Sequence, residues 1–297
     1  MAKNKLSIII PAFKDHHKIR RCLQQLSQSS FTDLNIIVVD HSASNNITRW
    51  IRIEYPHVTC LRGSSDLWWS GAMNIGIKYA LEGGSDLIMP LNHDCYVRVD
   101  TIGNMLNILG DVPDKIIAPI QFHLLRQKEM VCANSLFLLG FPTIVLPGRW
   151  CKYFTSEKLV STGLIVGGRG AIIHADIFKS VGYFDEINLP HYGADHDFYL
   201  RCKKSGIKLY TCTNAIVDVD GNSKASGNND ASSCDTGLIN SLVNRSSHRN
   251  IKDTYYLFSN HYPIPGLAIL GMALYVVRYL IVYSVKKISI YFKRRTE

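Results

Sequence analysis

Four short apolar runs, Leu6 to Ile10, Ile36 to Val39, Val58 to Leu61 and one ending at Leu91, alternate with stretches of helical spacing. Ile19, Leu23 and Leu26 mark the first helix. Ser42-Ala43-Ser44-Asn45-Asn46 supplies turn or cap chemistry before the second, and residues 70–82 make the third, ahead of Gly83-Gly84. Strands that alternate with helices pair in parallel and carry helices on both faces. The expected fold is therefore α/β and doubly wound, a class that binds ligands outside the carboxyl ends of its strands.

The fourth run opens at such an end into Asn92-His93-Asp94. Continued strand alternation puts Asn92 and Asp94 on one side and His93 on the other. Oxygen ligands of this kind suit Mg2+ or Mn2+, ions commonly shared with substrate phosphates. The same tripeptide also makes an ordinary turn. After Asp100 the pattern is less regular, with a helix over 101–109, a strand near 116–118 and hairpin strands between Met130 and Val145. A Gly167-Gly168-Arg169-Gly170 loop precedes a helix over 175–181, and a helix over 195–205 stops at Gly206. Short strands follow at 207–210 and 215–219. The stretch 222–235, rich in Ser, Asn, Gly and Asp, reads as a mobile loop.

A net charge of +9 fits nucleic acid, an anionic membrane or phosphate-bearing substrates, so its placement decides. Lys286, Lys287, Lys293, Arg294 and Arg295 follow or interrupt apolar sequence between Gly266 and Phe292, a pattern that favours an anionic membrane surface. No aromatic-rich RNA motif or helix-turn-helix signature points to nucleic acid. Arg278 interrupts the apolar stretch, and Tyr275, Tyr279, Tyr283 and Tyr291 suit a helix lying in the interface; a spanning helix and a dimer or core helix are the alternatives. The eight cysteines show neither a C-x-x-C pair nor zinc spacing and read as reduced thiols of a cytoplasmic protein. Residues 1–10 lack the pattern of a signal peptide, so export is not expected.

Four segments occur in a telling order: Ser7-Ile8-Ile9-Ile10-Pro11-Ala12-Phe13, Ile37-Val38-Val39-Asp40-His41-Ser42, Asn92-His93-Asp94 and Tyr192-Gly193-Ala194-Asp195-His196-Asp197. Over residues 5–222 the chain resembles family 2 glycosyltransferases of the GT-A fold. The segment Leu67-Trp68-Trp69-Ser70-Gly71-Ala72-Met73-Asn74-Ile75-Gly76 is similar to the branch that contains rhamnosyltransferases and other bacterial surface-polysaccharide enzymes. The resemblance implies a Rossmann-like, mostly parallel sheet with helices on both faces. It divides the chain into a nucleotide-sugar half over 1–98, an acceptor-binding and catalytic half over 99–235 and a helical, membrane-associated tail over 236–297.

The implied activity is metal-dependent, inverting transfer of a hexosyl or deoxyhexosyl group from a UDP- or dTDP-sugar. The acceptor is a hydroxyl of a glycan, lipid-linked if the tail holds the protein at the inner face of the cell membrane. Homo-oligomer formation is left open. The resemblance assigns Pro11, Phe13 and Asp40 to the base, with Asp40 accepting the imide N–H of uracil or thymine. It places Asn74 against the diphosphate and Asn92 against ribose or a metal-bound water. Asp94 becomes the anionic metal ligand, with Asp220 of Val217-Asp218-Val219-Asp220 as a second. Trp69, Gly168, Arg169 and Tyr192 face the sugars, and Asp195 is the base at the acceptor hydroxyl.

Each assignment has a plain alternative: Pro11 as strand terminator, Asp40 as helix cap, the glycine cluster as a loop, Asp195 as N-cap, and Asp197 as the i,i+4 partner of Arg201. Three positions depart from the family pattern. Asn92 stands for the first acid of Asp-x-Asp, Met73 stands where many relatives carry Arg or Asn, and Ala194 replaces the acid before the base. They keep open a binding scaffold without catalysis. A nucleotidyltransferase is the remaining rival, but Pro11-Ala12-Phe13-Lys14 lacks the Gly-rich phosphate loop it needs.

Overall fold

The computed structural model describes residues 4–146, 158–221 and 237–296. Strands β1 (Leu6–Ala12), β2 (Leu34–Asp40), β3 (Thr59–Arg62) and β4 (Leu87–Pro90) alternate with helices α1 (His16–Ser27), α2 (Asn46–Glu54) and α3 (Trp68–Glu82). With β11 (Ile173–His174) on its edge, the first sheet runs β11-β4-β1-β2-β3. All its pairings are parallel except that of β11 with β4. From β1 the chain steps outward to β2 and β3, then returns to lay β4 on the other side of β1. The crevice of such a fold lies at that reversal, outside the carboxyl ends of β1 and β4.

The sheet is apolar on both faces because helices cover both, which is why its strands read as continuous runs. Ile8, Ile10, Val38 and Met89 are fully buried with Ile19, Leu23 and Leu26 of α1 in one core cluster. Asp15 starts α1 by accepting a hydrogen bond from the Lys18 amide. Gly76 lets α3 lie close on β1: a Cβ there would run into the Ile9 side chain.

A second sheet follows in the chain. It contains β5 (Cys95–Val97), β6 (Lys115–His123), β7 (Lys128–Met130), β10 (Leu159–Ser161) and β12 (Lys208–Val219), ordered β10-β12-β6-β7 with β5 also on β12. The two short strands expected at 207–210 and 215–219 are one strand, β12, whose register against β6 shifts between Cys212 and Ile216. The irregularity interrupts the apolar pattern without ending the pairing. Helices α4 (Thr101–Leu109), α5 (Ala175–Val181) and α6 (Ala194–Lys204) complete this region. It forms one compact unit, 1–133 with 145–220, into which the described residues of the two expected GT-A halves largely fall.

The second unit joins 134–144 to 221–297. The expected hairpin is present as β8 (Cys132–Leu136) paired with β9 (Phe141–Leu146), and the unit adds α7 (Leu238–Val243), α8 (Ile251–His261) and α9 (Ala268–Thr296). One face of α9 is buried through Met272, Tyr275, Tyr279 and Tyr283, so three of the tyrosines read as interfacial are packing residues instead. A Cβ on Gly271 would come within 2.7 Å of the Phe137 carbonyl and 2.8 Å of the Phe258 ring. Arg278 interrupts the apolar helix with its charge partly compensated: it donates to the Gly140 carbonyl at 3.0 Å and lies 3.9 Å over the Phe141 ring, while its Nε is buried without a hydrogen-bond partner among the described residues. The opposite face exposes Leu270, Leu274, Val277, Ile281, Val285 and Ile288. The segment 222–235, read as a mobile loop, lies outside the described residues, as do the side chains of Lys293, Arg294 and Arg295.

One cysteine reading is corrected. Cys132 is disulfide-bonded, whereas Cys22, Cys60, Cys95, Cys202 and Cys212 are free. Spacing along the chain carries no information about a bridge closed by tertiary structure.

Candidate active site

The carboxyl end of β4 meets the glycine loop. Asn92-His93-Asp94 is a turn, closed by the Cys95 amide on the Asn92 carbonyl at 3.0 Å, so the alternation expected of a continuing strand does not apply. Pro90 ends the strand, and the three polar side chains diverge. Asn92 Oδ1 accepts from the Trp69 indole at 2.7 Å, and the Asn92 backbone N–H donates to the Gly168 carbonyl at 2.6 Å. His93 Nδ1 lies 3.0 Å from the Pro11 carbonyl, which only accepts, so that nitrogen carries the proton. Among the described residues, the one side chain hydrogen-bonded to the Asp94 carboxylate is the neighbouring Cys95 thiol, at 3.6 Å.

The loop over 166–170 is a strap sewn to the site on both sides. Gly167 takes φ +79°, a left-handed conformation that favours glycine. Its amide donates to Asp195 Oδ2 at 2.5 Å, while the Gly170 amide donates to the Pro90 carbonyl at 2.9 Å. Gly168 leaves no room for a side chain: a Cβ would sit 2.7 Å from the Trp69 ring, 2.9 Å from Asn92 Oδ1 and 3.1 Å from Met73 Cε. The glycine cluster is thus required by close approach, and Trp69, Asn92 and Gly168 form one packed group.

Asp195 lies in the first turn of α6, but the N-cap position belongs to Gly193, at φ +87°. The carboxylate turns away from its own helix to the strap, with His196 Nε2 3.5 Å from Oδ2. The capping alternative therefore does not describe it. Asp197 does make the helical pair, meeting Arg201 Nε at 2.7 Å. Asp94 and Asp195 are thereby joined within one unit by a short path: Asp94 is two residues beyond Asn92, which holds Gly168, and Gly167 holds Asp195.

Tyr192 sits beside this path. Burial pushes its hydroxyl pKa up, and the negative charge of Asp94 adds to the rise. Burial, then Arg169 and Arg126, push His123 down to about 4, against an opposing pull from Asp94.

Two residues expected at the nucleotide are engaged within the protein. Asp40 is fully buried; its Oδ1 accepts from the Ser42 amide and hydroxyl, and its Oδ2 from the Thr48 amide and hydroxyl, with Arg62 at 3.0 Å. This uses the acceptor capacity of a carboxylate and leaves none for an imide N–H, so Asp40 ties β2 to the start of α2. Asn74 is likewise spent: its amide nitrogen donates to the Phe184 carbonyl and to Glu186, and its oxygen accepts from the Phe184 amide. It fastens the 184–186 segment to α3. Pro11 lies inside β1, and the half-exposed Phe13 ring stacks on His41 at 5.1 Å, which keeps an aromatic wall at the crevice.

The acidic pair at the end of the bulged strand divides. Asp218 forms a surface ion pair with Arg98 at 2.8 Å. Asp220 stays with the site, its amide donating to the Asp94 carbonyl at 2.8 Å and its Oδ2 accepting from the Tyr96 hydroxyl at 3.1 Å. No group of three His, Cys, Asp or Glu side chains stands arranged for a metal among the described residues. The open Asp94 carboxylate fits an ion that brings its own ligands, because Mg2+ and Mn2+ keep waters and substrate phosphates around one or two carboxylates.

A doubly wound sheet with an Asn-x-Asp turn at its switch point and a carboxylate facing it across a glycine strap is the GT-A architecture. Residues 7–127 match the family model for glycosyl transferase family 2. It is 26% identical over 179 residues, 59% of its length and 56% of the relative's, to the dTDP-rhamnosyl transferase RfbF of Shigella flexneri. It is 23% identical over 219 residues to an uncharacterized protein of Mycobacterium bovis, covering 72% of this chain and 73% of that one. Among solved structures, GalNAc-T7 with UDP, GalNAc and Mn2+ superposes with a TM-score of 0.61 at 13% identity, over 73% of this chain and 44% of that one. Staphylococcus aureus TarS 1–349 superposes with a TM-score of 0.53 at 12% identity, over 92% and 70%. The structural likenesses establish the fold, and the match over 7–127 together with the kinship to RfbF supports glycosyl transfer.

Proposed function

We propose that the protein moves a sugar from a UDP- or dTDP-linked donor to a hydroxyl of a bacterial surface glycan, with inversion. The observation that carries this reading is the strap, which ties Asp195 to the Asn92 turn and so brings the Asp94 and Asp195 regions together. The donor lies against the Phe13 wall and the turn, and the acceptor hydroxyl gives its proton to Asp195 as it attacks the anomeric carbon. Direct displacement needs no covalent enzyme intermediate. A Mg2+ or Mn2+ bound with the donor, held by Asp94 and Asp220, would offset charge on the departing diphosphate. The kinship with RfbF makes dTDP-rhamnose the first donor to try. A ligand that binds only the folded state raises its melting temperature. With Mn2+ present, one of UDP-glucose, UDP-galactose, UDP-N-acetylglucosamine or dTDP-rhamnose is expected to raise Tm selectively; no shift with UDP or dTDP themselves would overturn the reading.

The tail supports attachment to the cytoplasmic membrane face. Within α9 the 18-residue stretch Ala268–Val285 has mean hydropathy 1.8, and lysines and arginines follow it in the sequence. One face of α9 is already occupied by the second unit's own side chains, which suits a helix lying on lipid. The protein is expected to float with vesicles containing roughly one third phosphatidylglycerol and to release them at high salt. Replacing Leu274, Ile281 and Val285 by Gln is expected to abolish flotation; retention by the triple variant would refute lipid contact through this face.

A further inference from the structure

Gln121 lies toward the C-terminal end of β6, between Ile120 and Phe122, and is buried. A buried amide must satisfy a donor and an acceptor. Gln121 satisfies both on the strap: Nε2 donates to the Val166 carbonyl at 2.7 Å, and Oε1 accepts from Arg169 Nη1 at 2.5 Å. These two contacts bracket Gly167 and Gly168, whose amide and carbonyl hold Asp195 and Asn92. Four residues of strap are therefore fixed at each position: the ends by one side chain from the second sheet, the middle by the two halves of the site.

We infer that Gln121 is a positioning residue, which sets the strap and through it the place of the Asp195 carboxylate and the Arg169 guanidinium. Neither partner of Gln121 is sequence-local, and no other polar side chain makes both contacts among the described residues. The glycines make the dependence strong. A segment with Gly at 167, 168 and 170 has little conformational preference of its own and takes the geometry its anchors impose. The effect on turnover rests on the reading of Asp195 as the base; the effect on the strap does not.

The test uses the full chain. Gln121→Met removes both hydrogen bonds at nearly constant volume, and Gln121→Glu keeps the acceptor for Arg169. In Gln121→Met, hydrogen exchange at the Gly167 amide is expected to speed up about tenfold or more while amides of β1 keep their protection. Gln121→Glu should recover part of the loss. With the donor identified by the melting screen, kcat is expected to fall about 10- to 100-fold, as for misplacement of a reacting group, with the donor KM changed less than about threefold. Unchanged exchange at Gly167 overturns the inference, and so does an equal rise across β1 and β6, which would mark general destabilisation. If Asp195→Asn keeps full turnover, the base assignment falls while Gly167 exchange still decides the role of Gln121.

Discussion

Asp195→Asn is expected to lower kcat by about 10²- to 10⁴-fold, the range typical of losing a general base, and to leave nucleotide binding and folding stability close to those of the parent. The isostere separates basicity from position. An Asn oxygen still accepts from the Gly167 amide, so the strap remains tied to α6, but the amide cannot take a proton from an acceptor hydroxyl. Asp195→Ala should lose both functions and loosen the strap as well. Steady-state kinetics with the identified donor, read beside Tm and nucleotide affinity for each variant, distinguish the two effects. Full turnover by Asp195→Asn would remove Asp195 from the mechanism as the base.

The alternation of strands and helices through Pro90 was legible because each run is buried on both faces and bounded by polar turns, so local pattern and tertiary role agree. The same holds for the order of the site segments. What sequence could not supply was the partner of each polar side chain. Asp40 and Asn74 have the right chemistry for a nucleotide, but Thr48, Ser42, Phe184 and Glu186 claim them, two of these from more than a hundred residues away. The turn at Asn92 cancels the alternation argument although the residues themselves stay in the crevice. On α9 the tyrosines carry the same spacing whether they face lipid or protein, and only the packing of Phe137 and Phe258 shows which. Gln121 left no signal at all, since a lone amide in an apolar strand is ambiguous until the strap is folded over it.

Replacing Asp40 by Ala is expected to cost about 3 to 5 kcal/mol of folding stability, the range for removing one member of a buried charged network. Four donors from Ser42 and Thr48 converge on the carboxylate, two of them backbone amides, Ser42 in the loop after β2 and Thr48 in the first turn of α2, and Arg62 adds its charge. Without it the Thr48 amide and hydroxyl are buried and unpaired, each costing about 1 to 3 kcal/mol where water cannot replace the bond. The titration of the group gives the experiment its control. Burial pushes the Asp40 carboxyl up, but the Ser42 and Thr48 side chains and then their amides outweigh it and hold the group below its ordinary 3.8. A folded pKa below the unfolded one means that the unfolded chain binds more protons near that pH, so stability rises with pH there. The contribution is complete above 3.8 and disappears as pH falls through the lowered folded value. Urea unfolding should therefore show a wide gap between the parent and Asp40→Asn at pH 7 that narrows as both are acidified below pH 3.8. A variant as stable as the parent at pH 7, yet impaired in binding UDP or dTDP, would return Asp40 to the base pocket and contradict the cap assigned to it here.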